Sequence, residues 1–218
     1  MVTGQAGFHL SRPPASTKRR RSSRSPRPRR RHRALNGVVT AGIVRHYCTV
    51  TEWPFPDGDG VPSPQIVAAW TQLGLLPAEK VPLWAAHWLV AGYDGEHLVS
   101  LAGLHGDDPH DMRDALPGAL LDCGVAIPNS DVAAASVSFT HLARMHVDGL
   151  AGPQWVGQKV EEVLIRSGYA QEVIDLPLGR LYYIADEWGA GWGRTDQELA
   201  AIVREASVEQ LRNGSVGA

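Results

Sequence analysis

Residues 1–50 hold twelve of the chain's 21 lysines and arginines and none of its 23 aspartates and glutamates. Any folded core must therefore come from the residues that follow. From Ser11 to Arg33, including Arg19-Arg20-Arg21 and Arg29-Arg30-Arg31, charge is dense, prolines interrupt and almost nothing is apolar. Such a stretch buries too little surface to offset the entropy of ordering, so a disordered basic tail is expected over residues 1–49. Residues 50–62 read as an extended linker. Each aromatic in Trp53-Pro54-Phe55-Pro56 precedes a proline, Asp57-Gly58-Asp59-Gly60 makes a turn, and Trp53 and Phe55 are expected to tuck into the body.

Residues 63–213 are long enough for one domain with its own core, and their punctuation is helical. Ser63-Pro64 offers a cap and a first-turn proline for a helix through Ile66, Val67, Trp70 and Leu73, stopped by Gly74. A second helix, 77–91, places Trp84 and Trp88 one turn apart. Asp94 is the expected cap of a short helix carrying Leu98, Leu101 and Leu104 and ending at Gly106. Asp108-Pro109 repeats the start signal for 110–123, with a bend expected at Pro117. Asn129, Ser130 or Asp131 opens a helix to Val147, with a strand over 135–140 as the competing reading.

Gly152-Pro153 begins the next helix, closed at Gly168. A further one is expected from about Pro177 through Leu181, Tyr182 and Ile184 to Trp188. In the last helix, Thr195 and Glu198 form a capping box ahead of Leu199, Ile202 and Val203. No repeat period emerges. The expected fold class is all-α, an irregular bundle of seven or eight short helices in one domain behind the basic tail. Trp70, Trp84, Trp88 and Trp155 fall on apolar faces and are assigned to the core.

No apolar run reaches the length of a membrane helix, and the first ten residues lack the apolar segment of a secretory signal. Richness in Arg and Ser suits an organellar transit peptide, but the prolines would interrupt its helix. Cys48 and Cys123 have neither metal-ligand spacing nor a disulfide framework, so the reducing cytoplasm is the expected compartment. Arginine outnumbers lysine 18 to three, the bias of a G+C-rich bacterial coding sequence, in which a start codon is easily assigned too far upstream. Val44 and Val50 are the candidate later starts.

Three functional readings follow. From residue 51 on, nine basic side chains face 23 acidic ones, which favours encounter with a basic partner. The first reading is thus a non-enzymatic interaction protein, of toxin-neutralising or regulatory type, needing no cofactor. Its candidate contacts are Asp186, Glu187, Trp188, Trp192 and Arg194. Asp186 and Glu187 are expected at the C-terminal end of a helix, against its dipole, which suggests a role outside the fold. Two tryptophans on a glycine-rich connection make a good anchor, against which stands the favoured plain reading that both rings plug the core while the glycines make the turn.

The second reading is a metal-dependent phosphoester hydrolase using His87, His105, His110 and Asp111, residues that capping by Asp108 and first-turn charge by Asp111 explain as well. The third is nucleic-acid association through Arg19, Arg20, Arg21, Arg29, Arg30 and Arg31, against which stand the absence of aromatics among the arginines and the acidic body. That reading predicts nucleic-acid binding that falls steeply with salt and vanishes when residues 1–49 are removed, measurable as affinity across a salt series. Retained affinity after the deletion would contradict it.

Overall fold

A computed structural model describes residues 60–105 and 109–214, and every regular element among them is helical. The expected all-α class is what the described residues adopt. The readings that fall on the basic tail, on most of the linker, and on Gly106 and Asp108 lie outside the described residues.

Two helices, packed along one another, each bury seven residues. α1 (Pro64–Leu73) starts with proline at its first position and buries seven of its ten residues, Trp70 among them. It packs along α5 (Asp131–Val147), whose N-cap Ser130 accepts from the Ala133 N–H at 3.3 Å. The competing strand over 135–140 does not form. α5 buries Ala134, Ala135, Ser138, Phe139, Leu142, Ala143 and Met145. The small residues among these let neighbouring helices approach closely, and Phe139 and Leu142 fill the spaces between them.

α2 (Val81–Val90) follows a 3-10 turn over Ala78–Lys80 and buries Trp84 and Trp88. The Trp84 ring lies 6.1 Å from that of Trp70, and the Trp88 indole N–H donates to the Pro62 carbonyl at 2.9 Å. These three tryptophans are core residues, as their spacing implies. Trp155 is only half-buried.

α3 (Glu96–Ala102) lies between α2 and α4 (Pro109–Asp122). It ends at Gly103, one turn before the expected Gly106. Its cap is not Asp94, whose carboxylate reaches only the adjacent Gly95 N–H. Instead Asp122, at the far end of α4, accepts from the Leu98 N–H at 2.9 Å. That bond at the positive end of α3, followed in weight by His97 beside it at 3.4 Å, holds the Asp122 carboxyl below the usual range. α4 is continuous through Pro117.

α6 (Pro153–Arg166) begins at its proline, and α8 (Asp196–Gly214) lies against both α5 and α6. His146, near the end of α5, hydrogen-bonds through Nδ1 to the Ala151 carbonyl at 2.9 Å. Halfway along α5, the His141 ring meets Trp70 edge-on, and burial, then Arg144, pushes its pKa down.

The chain between α6 and α8 departs from expectation. The helix read from Pro177 to Trp188 does not form. One turn of helix, α7 (Gln171–Ile174), and a 3-10 turn over Gly179–Leu181 give way to successive three-residue turns, closed by bonds from Ile184 N to Leu181 O and from Glu187 N to Ile184 O. Buried Gln210 on α8 ties this connector down. Its side chain donates to Thr140 Oγ1 of α5 at 3.2 Å and accepts from the Leu178 N–H at 3.5 Å. Gly179 is buried so tightly that a Cβ there would lie 2.0 Å from the Val173 carbonyl oxygen.

Gly179→Ala is therefore expected to lower unfolding stability by about 1–3 kcal/mol or more. Gly103→Ala, where a Cβ meets nothing closer than 3.4 Å, should stay within about 0.5 kcal/mol of the parent. Urea unfolding of the two variants checks the difference.

Candidate functional site

Residues 182–198 carry the loop in which sequence reading places the contact residues, and its geometry is set by what anchors it. Ile184 is fully buried and Trp188 half-buried, and both lean on α6 at Gly157. A Cβ at that glycine would lie 3.1 Å from Ile184 Cγ2 and 3.7 Å from Trp188 Nε1. The Trp188 indole N–H is buried with no hydrogen-bond partner, so packing holds this ring.

Glu187 then fixes the loop's far side. Its carboxylate is almost wholly buried and accepts three bonds from Arg194: from the backbone N–H at 3.1 Å, from Nε at 2.9 Å, and from Nη2. The guanidinium carbon also sits 4.8 Å from the Tyr183 ring centre, and Nη1 donates to the Tyr183 hydroxyl at 3.4 Å. Arg194's side-chain bonds first, then its backbone N–H, hold the Glu187 carboxyl below the ordinary range. The bonds to Glu187 and Tyr183 in turn raise Arg194 further above its already high value.

A seven-residue closure needs backbone that bends sharply. Gly189, Gly191 and Gly193 have φ of +65°, +72° and +77°, a region in which side chains are strained. At Gly193 there is also no room, since a Cβ would lie 2.7 Å from Glu187 Oε2. Immediately after the loop, the expected capping box forms. The Glu198 carboxylate accepts from Thr195 N at 2.7 Å, and Thr195 Oγ1 accepts from Glu198 N at 3.3 Å. The Thr195 backbone N–H, then its hydroxyl, hold the Glu198 carboxyl low.

The five residues singled out in the sequence divide into two groups. Glu187 and Trp188 face inward, and Arg194 is half-buried in its pairing with Glu187. Trp192 is 63% exposed, and Asp186 is exposed. Asp186 and Glu187 do not end a regular helix, so no helix dipole opposes them; Glu187 is acidic because it must receive Arg194. Tyr182, expected within a helix, is 49% exposed, and its ring meets that of 43%-exposed Tyr183 edge-on at 5.1 Å. The two tyrosines were missed as surface residues because the 177–188 stretch scans as a helix.

His87, His105, His110 and Asp111 are all exposed, and among the described residues no group of three His, Cys, Asp or Glu side chains gathers that could hold a metal. Arg19, Arg20, Arg21, Arg29, Arg30 and Arg31 lie outside the described residues. Residues 182–198 thus expose the rings of Tyr182, Tyr183 and Trp192 beside a buried Glu187 carboxylate that is paired with Arg194. Comparison with known proteins finds no family model, no curated protein and no solved structure that matches the chain.

Because the Glu187 pKa is depressed in the folded state, its contribution to stability is present above the ordinary glutamate value and is lost as pH falls through the depressed one. Glu187→Gln is expected to lower the melting temperature near neutral pH, with the gap from the parent closing in strong acid. Thermal melts of both proteins across the acid range check this. A gap that does not change with pH would contradict it.

Proposed function

We propose that the helical domain is a non-enzymatic protein-binding module that meets its partner through Trp192, Tyr182, Tyr183 and Asp186, with Glu187, Trp188 and Arg194 holding the surface in shape. The observation that carries this reading is Trp192: a tryptophan 63% exposed on a loop closed by the pairing of buried Glu187 with half-buried Arg194. An exposed indole on a preordered loop loses little conformational entropy on binding, and tryptophan, tyrosine and arginine dominate interface energetics.

The partner is basic. Nine basic against 23 acidic side chains from residue 51 on favour such an encounter, and open aromatic rings accept guanidinium or ammonium groups, as Tyr183 accepts Arg194 within the chain. A toxin-neutralising or regulatory role suits a domain of this kind. No helix among the described residues is long and apolar enough to cross a membrane, and the binding surface is made for a protein rather than a bilayer. The setting is the cytoplasm, where a free thiol such as buried Cys123 stays reduced.

A photo-crosslinking residue placed at Trp192 is expected to capture a basic partner from cells that make the protein. The same residue at Ile165, 52% exposed on α6, should not. In the purified complex Trp192→Ala should weaken affinity by about 30-fold, about 2 kcal/mol, with the far-UV helix signal unchanged. Equal capture from both positions, or unweakened affinity, would overturn the proposal.

A further inference from the structure

α1 and α5 pack antiparallel: Gln72, near the end of α1, donates to Asp131 at the start of α5 at 3.0 Å. The first turn of α1 therefore lies beside the second half of α5. Between them and Gly214, the last residue of α8, opens a cleft of about 360 Å³, within the roughly 300–1,000 Å³ of small-molecule sites. Ser136, Val137, Thr140, His141 and Arg144 line it from α5, positions that share one helical face.

Three donors at this cleft are not used by the fold. The Arg144 side chain is exposed and joins none of the ion pairs among the described residues. Ser63 holds the N-cap position of α1, yet its hydroxyl caps nothing. Pro64 has no N–H, and the Ile66 and Val67 N–H groups both donate to the Ser63 carbonyl, at 3.0 and 3.2 Å. That leaves the Gln65 N–H as the open donor of the first turn. No acid offsets this positive end, since α1 has no acidic residue in its first turn and none lines the cleft. Thr140, by contrast, is committed: its hydroxyl donates to the Ser136 carbonyl at 2.8 Å and accepts from Gln210 at 3.2 Å.

A phosphoryl group brings several acceptor oxygens, two of which a guanidinium can hold side by side while a hydroxyl and a backbone N–H take others. A bare ion would fill little of the volume, because a water molecule takes only about 30 Å³. Ile66 and Val137 also give the cleft an apolar wall. We propose that this cleft binds a small organic phosphate, a monoester whose phosphoryl oxygens accept from the Arg144 guanidinium, the Ser63 hydroxyl and the Gln65 N–H, with its carbon portion against Ile66 and Val137. Nothing in the cleft belongs to the surface around Trp192.

His141 reports the occupant. Burial first, then Arg144, hold its pKa down, and an anion bound beside it raises it. The test titrates the full chain with phenyl phosphate at fixed ionic strength and follows the His141 ring by NMR, its resonances assigned by their loss in His141→Gln. They should shift to saturation together with the Ser63 and Gln65 amide signals, and the His141 pKa should rise. This local readout separates the cleft from any phosphate that the basic residues among 1–50 attract. Arg144→Gln, at an exposed position, should weaken binding at least about tenfold. Ser63→Ala, which removes a hydroxyl that caps nothing, should weaken it about threefold, the far-UV helix signal being unchanged in both. Benzoate, which shares the ring of phenyl phosphate but not its phosphoryl group, should not saturate the site at the same concentrations. His141 resonances that do not respond, an affinity that neither variant lowers, or benzoate that binds as tightly as phenyl phosphate would each overturn the proposal.

Discussion

The domain depends on how little side chain α5 puts between itself and its neighbours. Ala134, Ala135, Ser138 and Ala143 are all buried, so α1 and α8 close on the backbone of α5 while Phe139 and Leu142 lock the gaps. Larger residues at those positions would push the flanking helices apart and open voids that the core could not refill. Gln210 and Thr140 use the same proximity to exchange a hydrogen bond between α8 and α5, and Gln210 passes the constraint on to the chain at Leu178.

α6 and α8 both pack beside α5, and the chain joining them runs through α7 and a series of tight turns. Buried Leu178, Leu181 and Ile184 hold that chain down. The last part of it projects as the glycine-rich loop, which the Glu187–Arg194 pair closes. Function, as proposed, rests on these contacts: α6 seats Ile184 and Trp188 at Gly157, and Glu187 pairs with Arg194 while Trp192 stays exposed.

The parts of this fold that were legible in the sequence are those with local causes. The Thr195–Glu198 capping box, Ser130 before α5, and proline at the first position of α1 and α6 each act within one turn of chain, and each marks its helix start as read. The misreadings have non-local causes. Asp122 caps α3 from 24 residues away, so the nearer Asp94 looked like the cap. Leu178, Leu181, Ile184 and Trp188 recur every three or four residues, and consecutive tight turns satisfy that period as well as a helix does. Asp186 and Glu187 were therefore placed in a dipole that does not exist, and the pairing of Glu187 with Arg194 across seven residues matches no helical or strand spacing. Trp188 and Trp192 were visible as a pair, but only the packing of Trp188 against Gly157 separates the inward ring from the outward one.

Trp192 serves as an anchor only if its loop is rigid while the ring is exposed. The most direct measurement is nitrogen-15 backbone relaxation at Gly189, Gly191 and Gly193. If the Glu187–Arg194 pair holds the loop as described, their order parameters should match those of the flanking α8 backbone, at about 0.85. Values below about 0.6 would mean a mobile glycine loop, on which Trp192 is not a preordered anchor.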